Sequence, residues 1–180
     1  MKKFELTSET KINIFGKKLF RIKALISFAD VEAGETGGWV EKEGNVNQSG
    51  DAWVSGNAEV SGDAKVYGDA KVYGNAWVSG NAKVYGNAEV SGDAEVYGNA
   101  EVSDNAKVYG NADYTTIHGF GTQFRTTTFF RCKDKKVRVA CGCFFGTIPE
   151  FREQVKNTRK GKIAEEYLMI ADLMEKHFEK

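Results

Sequence analysis

The chain predicts a mainly β protein: a hexapeptide β-solenoid over residues 44–113, an N-terminal β cap over residues 1–43 and a small α+β domain over residues 114–180. Two observations carry this. From Gly50 to Ala112 the sequence repeats Gly-[Asn/Asp]-Ala-x-Val-[Tyr/Ser], with valine at every sixth position from Val54 to Val108 and alanine at every sixth from Ala52 to Ala112. The flanking segments lack this period and show instead strand alternation, turn residues and, near the end, an apolar stripe at helical spacing.

In the first segment, residues 4–6, 11–15 and 19–25 read as strands, the last two joined by the turn Gly16-Lys17-Lys18. Gly34, Gly37 and Gly38 mark a loop. Gly38-Trp39-Val40 and Gly44-Asn45-Val46 fall in register with the later glycine and alanine columns, so the first coils are degenerate. A solenoid's terminal coil exposes an unpaired strand edge and an open apolar end, which must be covered. Residues 1–43 are assigned that role.

Within the repeat, strand alternation turns Val inward and its two neighbours outward. Gly followed by Asn or Asp suits a sharp corner, because these residues tolerate positive φ. Three hexads close a triangular coil, and coils stack about 4.8 Å apart. With one valine and one alanine inside per side, the prism is filled by its own side chains and has no room for an internal ligand.

Beyond Ala112 the segments 123–131 and 137–145 read as strands around Lys133-Asp134-Lys135-Lys136, with Gly119 and Gly121 loosening the approach. Thr147-Ile148-Pro149-Glu150 has the form of a helix start: Thr147 caps, Glu150 closes the capping box and Pro149 is tolerated in the first turn. That helix is expected to run to Thr158 and bury Phe151 and Val155. Gly161 interrupts it, and Ile163, Tyr167, Ile170, Ala171, Met174 and Phe178 form the apolar stripe of a second helix.

The net charge is zero but unevenly placed. Residues 44–113 hold 4 Lys+Arg against 10 Asp+Glu, and residues 114–180 hold 13 against 8. An acidic solenoid argues against a face that grips nucleic acid. The start of the chain lacks the apolar run of a secretory signal, and no stretch is a membrane-span candidate, so a cytoplasmic protein without membrane attachment is expected. Cys132, Cys141 and Cys143 are an odd set in a cysteine-poor chain and fit reduced thiols better than a disulfide framework.

The run from Lys65 to Ala76, Lys-Val-Tyr-Gly-Asp-Ala-Lys-Val-Tyr-Gly-Asn-Ala, resembles the left-handed parallel β-helix hexapeptide-repeat superfamily. The handedness is implied by the resemblance alone. Together with Arg21-Ile22-Lys23-Ala24-Leu25, Gly37-Gly38-Trp39-Val40-Glu41 and Cys141-Gly142-Cys143-Phe144-Phe145-Gly146-Thr147, the chain is similar to uncharacterised bacteriophage and prophage hexapeptide-repeat proteins. The superfamily resemblance implies self-association, with a trimer favoured. The phage resemblance implies action on a bacterial host factor, a defence protein or a nucleotide-type signal, in the host cytoplasm.

Enzymes of this superfamily are typically acyltransferases with a catalytic histidine near a coil, or zinc carbonic anhydrases with three histidine ligands. Residues 44–113 contain no histidine, and the whole chain has only His118 and His177. No catalytic residue, metal site or cofactor is therefore assigned. A zinc site from the three cysteines and His118 lacks compact ligand spacing, and small residues in a hairpin core suit the thiols better. His177 suits the C-terminal turn of its helix.

Binding candidates fall in two places. The hairpin with Arg131, Lys133, Lys136 and Arg138 concentrates positive charge, and its arginines suit a phosphate or carboxylate, although a solvated hairpin tip explains the lysines equally well. On the solenoid, Lys65, Tyr67, Lys83 and Tyr85 make an aromatic and basic strip, and Trp77 lies on another face. Tyr and Trp favour interfaces because they bury large area while keeping a polar handle, and Tyr also simply suits an exposed β position. The expected function is a non-catalytic binding or assembly protein. The alternatives are an acyltransferase with an inter-subunit site and a structural virion component.

Overall fold

In the computed structural model, which describes residues 2–179, the chain divides into two compact units, Met1–Asn111 and Ala112–Lys180. The first opens with an antiparallel hairpin of β1 (Phe4–Ile12) and β2 (Lys18–Ala24), and β3 (Thr36–Val40) adds antiparallel to β2. The hairpin turns earlier than the alternation suggested. Asn13 Oδ1 accepts from the amides of Phe15 (3.0 Å) and Lys17 (2.9 Å), an Asx-type turn that ends β1 at Ile12 and leaves Ile14 and Phe15 outside the ladder.

The repeat then lays down one two-residue strand per hexad: β4 (Trp53–Val54), β5 (Glu59–Val60), β6 (Lys65–Val66), β7 (Lys71–Val72), β8 (Trp77–Val78), β9 (Lys83–Val84), β10 (Glu89–Val90), β11 (Glu95–Val96), β12 (Glu101–Val102) and β13 (Lys107–Val108). Each of the first seven, β4 to β10, pairs in parallel with the strand three hexads on, as in Val54↔Val72, Val60↔Val78 and Val66↔Val84. Three stacked sheets result, and the deepest all-hexad stack, β4-β7-β10-β13, gives about four turns of parallel solenoid. Trp53, Ser55 and Asn57 donate their amides to the carbonyls of Ala70, Val72 and Gly74 at 2.9–3.0 Å, and the same pattern recurs coil after coil. From Ala52 to Val108 every alanine and valine of the two columns is at most 1% exposed, so the interior is filled by its own side chains.

Glycine at the corner serves two ends at once. Gly80 has a φ of +66°, and a Cβ built there would stand 2.9 Å from the nitrogen of Gly98 in the next coil. Asp104, the one lapse in the column, also has positive φ (59°) but lies in the last coil. Its column neighbour Gly98, likewise at the end of the stack, has nothing within 4 Å of a built Cβ. Asp104 is thus tolerated where no further coil crowds the corner.

The first coils correct one expectation of register. Val40 pairs with Val60 and Val46 with Val66, an offset of twenty residues where the later coils use eighteen. Val40 and Val46 therefore stand in the valine column and not the alanine column. Gly38 takes the alanine place, where a Cβ would meet Val54 Cγ1 at 2.7 Å and the Ala58 carbonyl oxygen at 2.9 Å.

Side chains close the open end of the stack. In a regular coil the carbonyls of corner Gly and following Ala accept from amides of the preceding coil, as in Asp63→Gly80 and Lys65→Ala82. At the edge, Lys3 Nζ donates to the carbonyls of Gly50 (3.0 Å) and Ala52 (2.8 Å), and Asn45 Nδ2 donates to those of Gly62 (3.1 Å) and Ala64 (2.9 Å). Both residues are buried, and each satisfies two carbonyls that would otherwise lack partners.

The second unit is an antiparallel meander, β14 (Tyr114–Phe120), β15 (Arg125–Arg131), β16 (Val137–Cys141) and β17 (Phe144–Thr147), followed by α1 (Ile148–Thr158) and α2 (Gly161–Phe178). β14 adds a strand the sequence reading lacked. The expected single strand 137–145 is cut at Gly142-Cys143, where Gly142 adopts φ +61° and Cys141 pairs with Phe144 across a two-residue turn. Thr147 Oγ1 accepts from the Glu150 amide and the Glu150 carboxylate accepts from the Thr147 amide, completing the expected capping box. The core joins Phe129 and Val139 of the sheet to Ile148, Phe151 and Val155 of α1 and to Tyr167, Ile170, Ala171, Met174 and Phe178 of α2. Among the described residues no helix is long and apolar enough to cross a membrane.

Candidate functional site

On the face built by β6, β9 and β12, the eighteen-residue period places Tyr67 beneath Tyr85, with ring centroids 4.9 Å apart and planes 3° from parallel. Both rings are half-buried. Burial first, and then the neighbouring Tyr85, push the Tyr67 phenol above its ordinary pKa. Lys83 pairs with Glu101 at 2.8 Å, and this hydrogen bond holds the ammonium above its usual range. Lys65 is exposed beside them. A groove of about 670 Å³ runs here, lined by Lys65, Tyr67 and Lys83 together with Glu43, Asn47 and Gln48. The structure therefore brings Lys65, Tyr67 and Lys83 into one groove and Tyr85 against Tyr67.

Trp77 has a different setting. Phe15, at the tip of the β1–β2 hairpin, stacks on its ring at 4.4 Å and 8°. Trp53 is buried between Phe4 and Phe28, each in edge-on contact. These two aromatic columns are used in packing the cap, which no local pattern in the sequence shows.

In the second unit the basic hairpin is partly neutralised from within. Arg131 reaches Asp113 at 3.6 Å, donates to the carbonyl of Phe178 at 3.1 Å and lies over the Phe178 ring at 5.6 Å. It thereby ties the end of α2 to the sheet. Arg138 pairs with Asp134 at 2.8 Å. The Asp134 carboxyl is held below its ordinary pKa, first by the Lys136 amide and then by Arg138. Arg131 and Lys136 line a groove of about 400 Å³ together with the acidic Glu175 and Glu179. Arg138 and Lys133 do not line it.

The three thiols sit in separate environments: Cys132 is buried, Cys141 is half-buried and accepts from Thr127 Oγ1 at 3.1 Å, and Cys143 is exposed on the tight turn. The turn at Gly142 separates Cys141, at the end of β16, from Cys143, on the turn itself. His118 Nδ1 lies 3.2 Å from Thr126 Oγ1, and His177 packs edge-on against Phe178. Sequence reasoning passed over Arg125 and Arg159 and placed Tyr167 only in the apolar stripe of α2, yet the three gather around Cys141. The signal missed was Gly142, whose turn brings β17 and α1 back over that end of the sheet. No protein-family model matches this chain, and no curated protein sequence does.

Proposed function

We propose that this is a non-catalytic binding and assembly protein whose solenoid self-associates through the face bearing Lys65, Tyr67, Lys83 and Tyr85. The observation that carries the reading is the Tyr67–Tyr85 stack, 4.9 Å between centroids on a fixed parallel ladder. An aromatic pair already ordered loses little conformational freedom on docking and keeps its hydroxyls available to a partner. Glu43 and Glu101 flank the two lysines, so the face carries both charge signs and suits a second copy of itself. A trimer is the favoured state. The similarity to phage-encoded hexapeptide-repeat proteins makes bacterial host factors the heterologous partners to test first.

Light scattering coupled to size-exclusion chromatography tests this. The wild-type chain is expected to run as an oligomer and the Tyr67→Glu/Tyr85→Glu double variant as a monomer with an unchanged circular dichroism spectrum. A monomeric wild type at about 100 μM, where even weak specific pairs begin to populate, or an oligomer that survives the double substitution, overturns the assignment.

A further inference from the structure

We infer that the Ala112–Lys180 unit carries a pocket for a small anionic ligand, a carboxylate or phosphate on an apolar body, held by Arg125 and Arg159 against the thiols of Cys141 and Cys143. The pocket encloses about 250 Å³. That suits a ligand of about a dozen heavy atoms, below the usual drug-sized range. Three parts of the fold build it. The pairing Thr127↔Cys141 sets the start of β15 beside the end of β16, and the Arg125 guanidinium comes to rest against Gly142, where only the missing side chain makes room for it. The end of α1 supplies Arg159, one of whose donors is taken by the Thr158 carbonyl at 3.3 Å. α2 supplies Tyr167, fixed by its bond to the Phe120 carbonyl at 3.2 Å and by edge-on contact with Phe151 at 5.8 Å.

The charge is one-sided. The residues lining this pocket include two arginines and no acid. The grooves on the solenoid are walled in part by Glu43 in one case and by Asp30, Glu35 and Glu89 in the other, and the groove beside the basic hairpin by Glu175 and Glu179. No acid lines the pocket beside Arg125 and Arg159, so their guanidinium donors, other than the one Arg159 gives to the Thr158 carbonyl, remain for a ligand oxygen. Phe144 and Phe151 supply an apolar wall for the rest of the ligand. The Tyr167 phenol is raised above its ordinary pKa by burial first and by Cys141 second, which agrees with a thiol lying close to the ring hydroxyl. This inference is independent of the solenoid face.

The test uses the thiols as reporters in the full-length chain. Iodoacetate and iodoacetamide alkylate the same sulfur, each forming an S–C bond with loss of iodide, and differ in charge, so the ratio of their rates cancels the fraction of thiol ionised. At Cys141 and Cys143, resolved by peptide mass mapping, that ratio is expected about tenfold above its value in the urea-unfolded chain, in line with the enrichment of anions in basic clefts. Arg125→Gln/Arg159→Gln should return it to the unfolded value, and Arg159→Gln alone, an exposed site, should lower it without disturbing the fold. Phenyl phosphate should protect both thiols at concentrations where inorganic phosphate and benzyl alcohol do not. Protection by inorganic phosphate alone would remove the apolar part of the ligand. A ratio equal to the unfolded one, or one that both variants retain, overturns the pocket.

Discussion

The Lys3 ammonium donates to the carbonyl oxygen of Ala52 at 2.8 Å, doing with a side chain what the backbone of a preceding coil does elsewhere in the stack. The group is buried beside the Phe28 ring, and desolvation lowers its pKa from 10.5 to about 8, with Asp51 and Asp69 opposing the shift. The folded chain therefore releases this proton at lower pH than the unfolded chain. Between about pH 8 and 10.5 the unfolded state binds more protons, so this group's contribution to stability rises with pH across that window. Lys3→Met leaves two edge carbonyls unpaired and should cost about 1–3 kcal/mol. Urea titrations of both chains should show the gap widening from about pH 8 to 10.5, and a constant gap would refute the assignment.

Gly80 and Gly98 have nearly the same φ (+66° and +67°), yet only Gly80 lies beneath another coil. Gly98→Ala should cost about 1–2 kcal/mol, the penalty for a side chain in the left-handed region. Gly80→Ala adds overpacking against the next coil and should cost about 2–5 kcal/mol in all. Equal losses in thermal melts would mean that stacking does not decide the glycine column.

Phe15 shields one face of Trp77. Phe15→Ala should make a tryptophan newly accessible to iodide or acrylamide quenching and cost about 0.5–1.5 kcal/mol. Unchanged quenching would show that the hairpin tip does not rest on the solenoid wall.

Arg131 holds the Phe178 carbonyl as well as the Asp113 carboxylate. Arg131→Ala should speed hydrogen exchange in the last turn of α2 while the amides of β15 and β16 stay protected, at a cost of about 1–2 kcal/mol. Exchange that changes equally through the whole unit would assign Arg131 to the general core instead.

Val78→Asp would bury an unpaired carboxylate among fully enclosed side chains, and loss of the cooperative melt is the expected result. A melt close to wild type would place the valine column outside the core.

The coil was legible because its information is local and repeated. A glycine that must turn, a valine that must face inward and an alanine that must leave space recur every six residues, and each copy restates the same geometry. The capping box at Thr147 and the α2 stripe were legible for the same reason: partners three or four residues apart lie within one turn of helix. Tertiary structure alone decided what long-range packing selects. The two-residue shift that puts Val40 and Val46 into the valine column depends on how the cap meets β5 and β6. The use of Lys3 and Asn45 as substitutes for backbone donors depends on which carbonyls the edge leaves open. The gathering of Arg125, Arg159 and Tyr167 around Cys141 depends on the pairing of β15 with β16, the turn at Gly142 and the two helices packed on the sheet. Residues 34 positions apart, as Arg125 and Arg159 are, leave no periodic trace in a sequence, because only the closed sheet and the helix packed on it bring them together.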